Sequence, residues 1–167
     1  MAQPGLKRMK VAQILGLYAA VLEELCQREV LRSANNPAAD YAAHLVCHAP
    51  SLRPAQEPTK GYDATDRKRK RYEIKDRRST TRSRPTRFSA VRKLPDNHFD
   101  YLAAVLFAED FHIQRAVVLP RIAVVSKAFF QKHVNGWILP LNDKLWQTEG
   151  ARDITDLLRR LQFQHGA

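Results

Sequence analysis

The chain has 167 residues, 44% of them hydrophobic, and 28 Lys and Arg stand against 17 Asp and Glu, for a net charge of +11. That content excludes a wholly disordered chain and supplies the core of one globular domain. The longest uninterrupted apolar run, Tyr101 to Ala108, is far shorter than the ~20 residues of a membrane-spanning helix.

At the N-terminus Lys7, Arg8 and Lys10 precede the apolar stretch Val11 to Leu22, an order shared with secretory signals. Here Ile14, Leu15, Tyr18, Val21, Leu22 and Leu25 keep helical spacing straight into Glu23, Glu24, Arg28 and Glu29, which predicts an amphipathic helix instead. Cys26 and Cys47 lie among apolar neighbours without CxxC spacing and read as reduced core thiols of a cytoplasmic protein.

Next, Asn35-Asn36-Pro37 reads as an N-cap followed by Pro at the first helical position, with Asp40 in the first turn where the dipole favours an acid. The helix is expected from Pro37 to Ala49. Along it Asp40, His44 and His48 form one polar stripe. It reads first as a solvated face, and as a metal ligand Asp40 suits magnesium better than the imidazoles do. Pro50 to Pro58 holds three prolines and is expected to carry little regular structure.

The pattern then becomes alternating. In Arg71-Tyr72-Glu73-Ile74-Lys75, Tyr72 and Ile74 point one way and Arg71, Glu73 and Lys75 the other. Upstream, Lys60-Gly61-Tyr62-Asp63-Ala64 sets Tyr62 and Ala64 against Asp63. An antiparallel hairpin turning at Arg67 to Arg69 would pair Asp63 with Glu73, Tyr62 with Ile74 and Ala64 with Tyr72, keeping each face uniform. Two carboxylates side by side repel unless a cation lies between them. Magnesium, held by one or two carboxylates, water and phosphate oxygens, is the natural ion, and Lys75 on the same face could neutralise developing charge.

From Arg67 to Lys93 stand 13 basic residues and two acids, Glu73 and Asp76, so this segment carries the whole net charge; the other 140 residues hold 15 groups of each sign. Self-repulsion of that density is relieved by a polyanion, and nucleic acid is the expected partner. A membrane surface is not, because the segment lacks a wide apolar helical face. Within it, Ser79 to Arg87 has no periodicity and reads as a basic loop.

Phe99 to Phe107 and Phe111 to Leu119, joined through Glu109-Asp110, predict a hairpin of mostly buried strands. Arg121 to His133 reads as a helix, with strand continuation as the alternative, and Gly136 to Leu141 as a strand. Ile154, Leu157, Leu158 and Leu161 predict a last amphipathic helix with Asp153 as its N-cap. Trp137, Trp146 and Phe129-Phe130 are expected in the core or at a subunit contact. His98, His112, His133 and His165 have no partner legible in the sequence.

Asp63 followed by Glu73-x-Lys75 resembles the signature of the PD-(D/E)xK, or restriction-endonuclease-like, nuclease superfamily. The wider pattern Asn-Asn-Pro, Asp-Tyr, Gly-Tyr-Asp, Tyr-Glu-Ile-Lys-x-Arg-Arg, Phe-Asp-Tyr-Leu-Ala-Ala-Val-Leu-Phe and Asn-Gly-Trp is similar to a group of small, poorly characterised bacterial proteins of that type, from about Asn35 onward. The resemblance implies an α/β domain with a mixed central sheet flanked by helices, residues 35–167 forming the nuclease-like core and 1–34 an additional N-terminal helical extension. It further implies a metal-dependent endonuclease acting on DNA, with Asp63, Glu73 and the Ile74 carbonyl holding Mg2+ (or Mn2+) and Lys75 assisting the nucleophile. Arg71, Arg77, Arg78, Arg82, Arg84 and Arg87 are the expected nucleic-acid contacts, and a homodimer is compatible with the pattern. The chain departs from the superfamily in three places: Gly61-Tyr62 where a Pro often precedes the Asp, Ala43 where the helix often supplies a Glu, and a short stretch where the first strand usually runs. A catalytically inactive binding module of the same fold is therefore the alternative, and an RNA-binding arm on an unrelated fold a third reading.

Overall fold

The computed structural model describes residues 5–33, 36–50, 52–55 and 61–164. Asn35, Pro58, Lys60 and His165, on which expectations fell, lie outside the described residues. Two helices open the chain, α1 (Val11–Gln27) and α2 (Pro37–Cys47), and strands β1 (Leu52–Pro54), β2 (Ala64–Asp66), β3 (Arg71–Arg78), β4 (Tyr101–Phe107) and β5 (Ile113–Pro120) follow. After them come α3 (Arg121–Lys127), β6 (Phe129–Gln131), β7 (Gly136–Ile138), β8 (Arg152–Asp153) and α4 (Thr155–Gln164). Six strands form one mixed sheet in the order β1-β2-β3-β4-β5-β8; β3 and β4 run parallel and the other pairs antiparallel, while β6 and β7 make a separate hairpin. The fold is thus α/β, with helices flanking a mixed sheet.

Local chemistry explains where elements begin. Asn36 caps α2, its side chain accepting the Ala38 N–H at 3.1 Å with Pro37 in the first turn. Asp66 fixes the turn into β3 by accepting the N–H groups of Lys68 and Lys70, both at 2.8 Å. At the start of α4 the Asp153 carboxylate accepts the Thr155 N–H at 2.8 Å, as a capping acid should.

The sheet is covered on both faces, so β4 and β5 are buried along most of their length. On one face Tyr72, Ile74, Ala103, Val105 and Phe107 pack with α2 and α4. On the other, Leu102, Ala104, Val117 and Leu119 pack with Val124 of α3 and with Phe88, Val91, Leu94 and Phe99 from the long β3–β4 connection. Among the described residues no helix is long and apolar enough to cross a membrane.

Several expectations need correction. The stretch Pro50 to Pro58 is not devoid of regular structure: Leu52, Arg53 and Pro54 pair with Asp66, Thr65 and Ala64, Pro being tolerated because β1 is an edge strand. The helix begun at Pro37 ends at Cys47, and that begun at Arg121 ends at Lys127, where the chain turns into the β6–β7 hairpin. The strand from Gly136 stops at Ile138. Cys47 is buried, whereas Cys26 is only half-buried; both are free thiols. Phe129 and Phe130 are half-exposed, which sets aside the core branch of their expectation and leaves the subunit-contact branch standing.

Candidate functional site

The edge where β2 parts from β3 gathers most of the residues singled out in the sequence. The expected register holds for Ala64 with Tyr72 and Thr65 with Arg71. It does not continue through Tyr62. Gly61 takes a left-handed conformation (φ 79°), and Tyr62 packs on the opposite face of the sheet from Ile74.

Backbone alternation defines what the break exposes. Arg71 exchanges hydrogen bonds with Asp100 at the head of β4, its N–H donating to Oδ2 and its carbonyl accepting the Asp100 N–H, both at 2.9 Å. Odd-numbered residues of β3 therefore turn their backbone groups toward β4 and even-numbered ones toward β2. Asp63 N–H still donates to the Tyr72 carbonyl at 2.8 Å. One step on, the Ile74 N–H has lost its strand partner, and the Asp63 carboxylate replaces it, Oδ2 accepting at 2.7 Å. The Ile74 carbonyl faces the same edge.

Asp63 consequently sits between the two faces of the sheet. Against it lies a cavity of about 210 Å³ that takes in residues of both faces, among them Asp40, Asp63, Lys75, Asp76 and Ser89, with Ala43 also on its wall. Asp40 accepts the Arg32 N–H at 3.0 Å. Burial raises the Asp76 carboxyl above its usual range, and neighbouring Arg77 opposes this. Burial pushes the Cys47 thiol up to about 11, with Arg32 opposing and Asp63 adding to the rise, so this thiol stays protonated.

Lys75, which lines this cavity, forms an ion pair with Glu73 at 2.6 Å, with only 13% of the Glu73 and 18% of the Lys75 side chain exposed. Burial raises the Glu73 carboxyl, the Lys75 ammonium pulls it back, the charge of Asp63 adds to the rise and His98 opposes it. The carboxylate of Asp63 thus acts electrostatically on both Glu73 and Cys47, one on each face.

Asp63, Glu73, Lys75, Ile74 and Asp40 are brought to one edge. His44 and His48 pack against each other with ring centroids 4.2 Å apart and planes tilted by 38°, and do not line the cavity. Ala43 does line it. The sequence reading missed Asp76, although a signal was present: it is an acid on the face that Tyr72 and Ile74 mark as apolar. It also missed His98, which lies 3.3 Å from the Asp96 carboxylate and beside Gly61; only the fold brings it near Glu73.

The arginines divide. Arg71 is engaged by Asp100 at 3.2 Å, and this bond with the backbone one outweighs desolvation and lowers the Asp100 carboxyl. Arg78 stacks over Phe111 at 4.5 Å, by alternation on the face opposite Glu73. Arg77 shares the Glu73–Lys75 face and donates to the Arg87 carbonyl at 3.0 Å, while Arg87 donates to Gln131 at 3.1 Å. Arg82 and Arg84 lie exposed in the loop after β3, which is tied down where Thr81 meets Glu109. Arg84 lines a second, open cavity of about 570 Å³ with Ser79, Thr80, Thr81, Glu109 and Gln114.

Among the described residues no three His, Cys, Asp or Glu side chains converge on one point. The candidate donors at the edge are nonetheless all oxygen: Asp63 and Glu73 each have one carboxylate oxygen outside the bonds just described, and by strand alternation the Ile74 carbonyl turns to the same edge. That set, completed by water or phosphate oxygens, suits a hard divalent cation. The chain matches no family model and no curated protein.

Proposed function

We propose that the chain is a metal-dependent DNA endonuclease of the PD-(D/E)xK, restriction-endonuclease-like type, using Mg2+ or Mn2+. The observation that carries this reading is the Asp63 carboxylate seated on the Ile74 backbone where the strands part, beside the buried Glu73–Lys75 pair. Asp63, Glu73 and the Ile74 carbonyl would hold the ion, with Asp40 reaching it across the shared cavity. Bound there, a divalent cation supplies a nucleophilic water and offsets charge on the phosphate.

The chain's own groups then have separable tasks. Lys75 presents an ammonium from a nearly dry site, where it stabilises negative charge on a phosphate more strongly than at an open surface. Arg77, Arg82, Arg84 and Arg87 hold the nucleic-acid backbone without reading bases. Hydrolysis joins a water oxygen to phosphorus and breaks one ester P–O bond, with no covalent enzyme intermediate.

A second reading, a binding module of the same fold without turnover, is favoured by Ala43 on the cavity wall in place of an acid. Magnesium separates the two. Incubated with duplex DNA, the wild-type chain should cut only when Mg2+ or Mn2+ is added. Glu73→Gln and Lys75→Ala should each lower cleavage at least about a hundredfold while binding stays near wild type. Tight, salt-sensitive binding without cutting under either ion would establish the module. Cleavage at the wild-type rate by either variant would refute the site.

A further inference from the structure

Helix α1 carries an apolar stripe that its own chain leaves largely uncovered. Val11, Ile14, Tyr18, Val21 and Leu25 recur at alternating spacings of three and four, with Leu15 and Leu22 alongside, the repeat by which two helices pack along a seam. Leu22 is buried, with 5% exposure. Toward the N-terminus the stripe emerges: Val21 is 49% exposed, Tyr18 54%, Leu15 61% and Val11 73%.

We propose that this stripe is the contact surface for α1 of a second copy of the chain, the two helices running antiparallel. Area is the first argument. The exposed part amounts to roughly 500 Å² of apolar surface, above the few hundred usual for a free patch. Two copies would bury at most roughly 1,000 Å², the lower threshold for a biological interface.

Charge decides the direction. Lys7, Arg8 and Lys10 stand at the N-terminal end of the stripe, and Glu23, Glu24 and Glu29 with Arg28 at its C-terminal end, where Arg28 pairs with Glu24 at 2.7 Å and the balance stays acidic. Parallel helices would set like charges together, whereas antiparallel helices set each basic end against an acidic one. The first turn of α1 holds no acid, although its positive dipole end favours one. The partner's Glu23 supplies it. The basic ends repel each other in a parallel pair and are neutralised in this one.

Sedimentation of the full chain tests the pairing. At about 50 µM, where even a micromolar contact is filled, the mass should be twice the 19.1 kDa of the chain. Leu15→Glu with Tyr18→Glu should return it to the single-copy mass with the circular dichroism spectrum unchanged, because both side chains are already exposed in one copy, and its thermal midpoint should lose the concentration dependence that pairing gives the wild type. Direction is read by disulfide trapping in a Cys26→Ser background. The exposed stretch from Val11 to Val21 has its midpoint at Gly16, so Val11 of one copy meets Val21 of the other. A mixture of Val11→Cys and Val21→Cys chains should therefore cross-link, and neither variant should link to itself. Self-linking of Val11→Cys alone would overturn the antiparallel arrangement. A wild-type chain that stays at single-copy mass would overturn the pairing altogether, and binding of that single copy to anionic vesicles would assign the stripe to a lipid surface.

Discussion

Replacing Lys75 with Met removes the ammonium 2.6 Å from Glu73 and leaves a carboxylate that is nearly shut off from water. Replacing Glu73 with Leu leaves the ammonium in the same position. One-sided removal of a buried ion pair costs about 3–5 kcal/mol, because the surviving charge stays desolvated without compensation. Residual exposure of 13% and 18% places each single variant near the lower end, about 3 kcal/mol. The double variant strands neither charge and puts two apolar side chains at the rim of an apolar cluster, so it should lose less than either single variant and far less than their sum. Urea unfolding of the four proteins at neutral pH measures this directly. The Lys75→Met protein carries a further mark. Burial already raises the Glu73 carboxyl, and Lys75 is the first influence holding it down, so without Lys75 it rises further. A carboxyl raised in the folded state takes up its proton more readily there than in the unfolded chain. The variant should therefore regain stability as pH falls through the raised folded value toward the ordinary Glu value of 4.5. Single losses under about 0.5 kcal/mol that simply add would refute the claim that the pair is buried and coupled.

Asp63→Asn keeps an oxygen for the Ile74 N–H and should change stability by less than about 1 kcal/mol, while Asp63→Ala orphans that donor and should cost about 1–3 kcal/mol; equal losses in thermal melts would mean the bond does not hold the edge. Replacing Arg82, Arg84 and Arg87 together with Ala should flatten the slope of log affinity against log salt by roughly two to three, at about 0.9 per phosphate contact, and weaken binding to unrelated sequences alike. An unchanged slope removes the loop from the interface. Asp100 is held below its ordinary 3.8, so the stability it adds is complete above that value and fades as pH falls through its folded value. Asp100→Asn should accordingly narrow its gap from wild type under acid unfolding, and a gap independent of pH would exclude this carboxylate as the source.

Much of the scaffold was legible because it rests on short-range rules. Period-two alternation over Arg71 to Lys75, the polar Glu109-Asp110 turn and the Asn36-Pro37 cap each act within a few residues, and each was found where the sequence set it. The hairpin register was legible through Ala64 and Thr65 for the same reason. It failed at Tyr62, since the left-handed turn at Gly61 and the choice of which cluster a tyrosine joins depend on tertiary packing. β1 escaped because an edge strand of three residues gains its hydrogen bonds from β2 rather than from any propensity of Leu-Arg-Pro. In the site, Glu73 and Lys75 were readable from spacing alone. The division of arginines into those held by Asp100 or Phe111 and those left near the loop was not, for it depends on partners 29 and 33 residues away.

Both borders of the main sheet are poor templates for another strand. One is β1, three residues long and closed by Pro54, which has no N–H to donate. The other is β8, two residues long and composed of Arg152 and Asp153, both exposed. Short, charged or proline-bearing margins discourage edge-to-edge addition. Were the exposed side chains of α1 to pair as proposed, the margins of the main sheet would discourage further growth by strand addition.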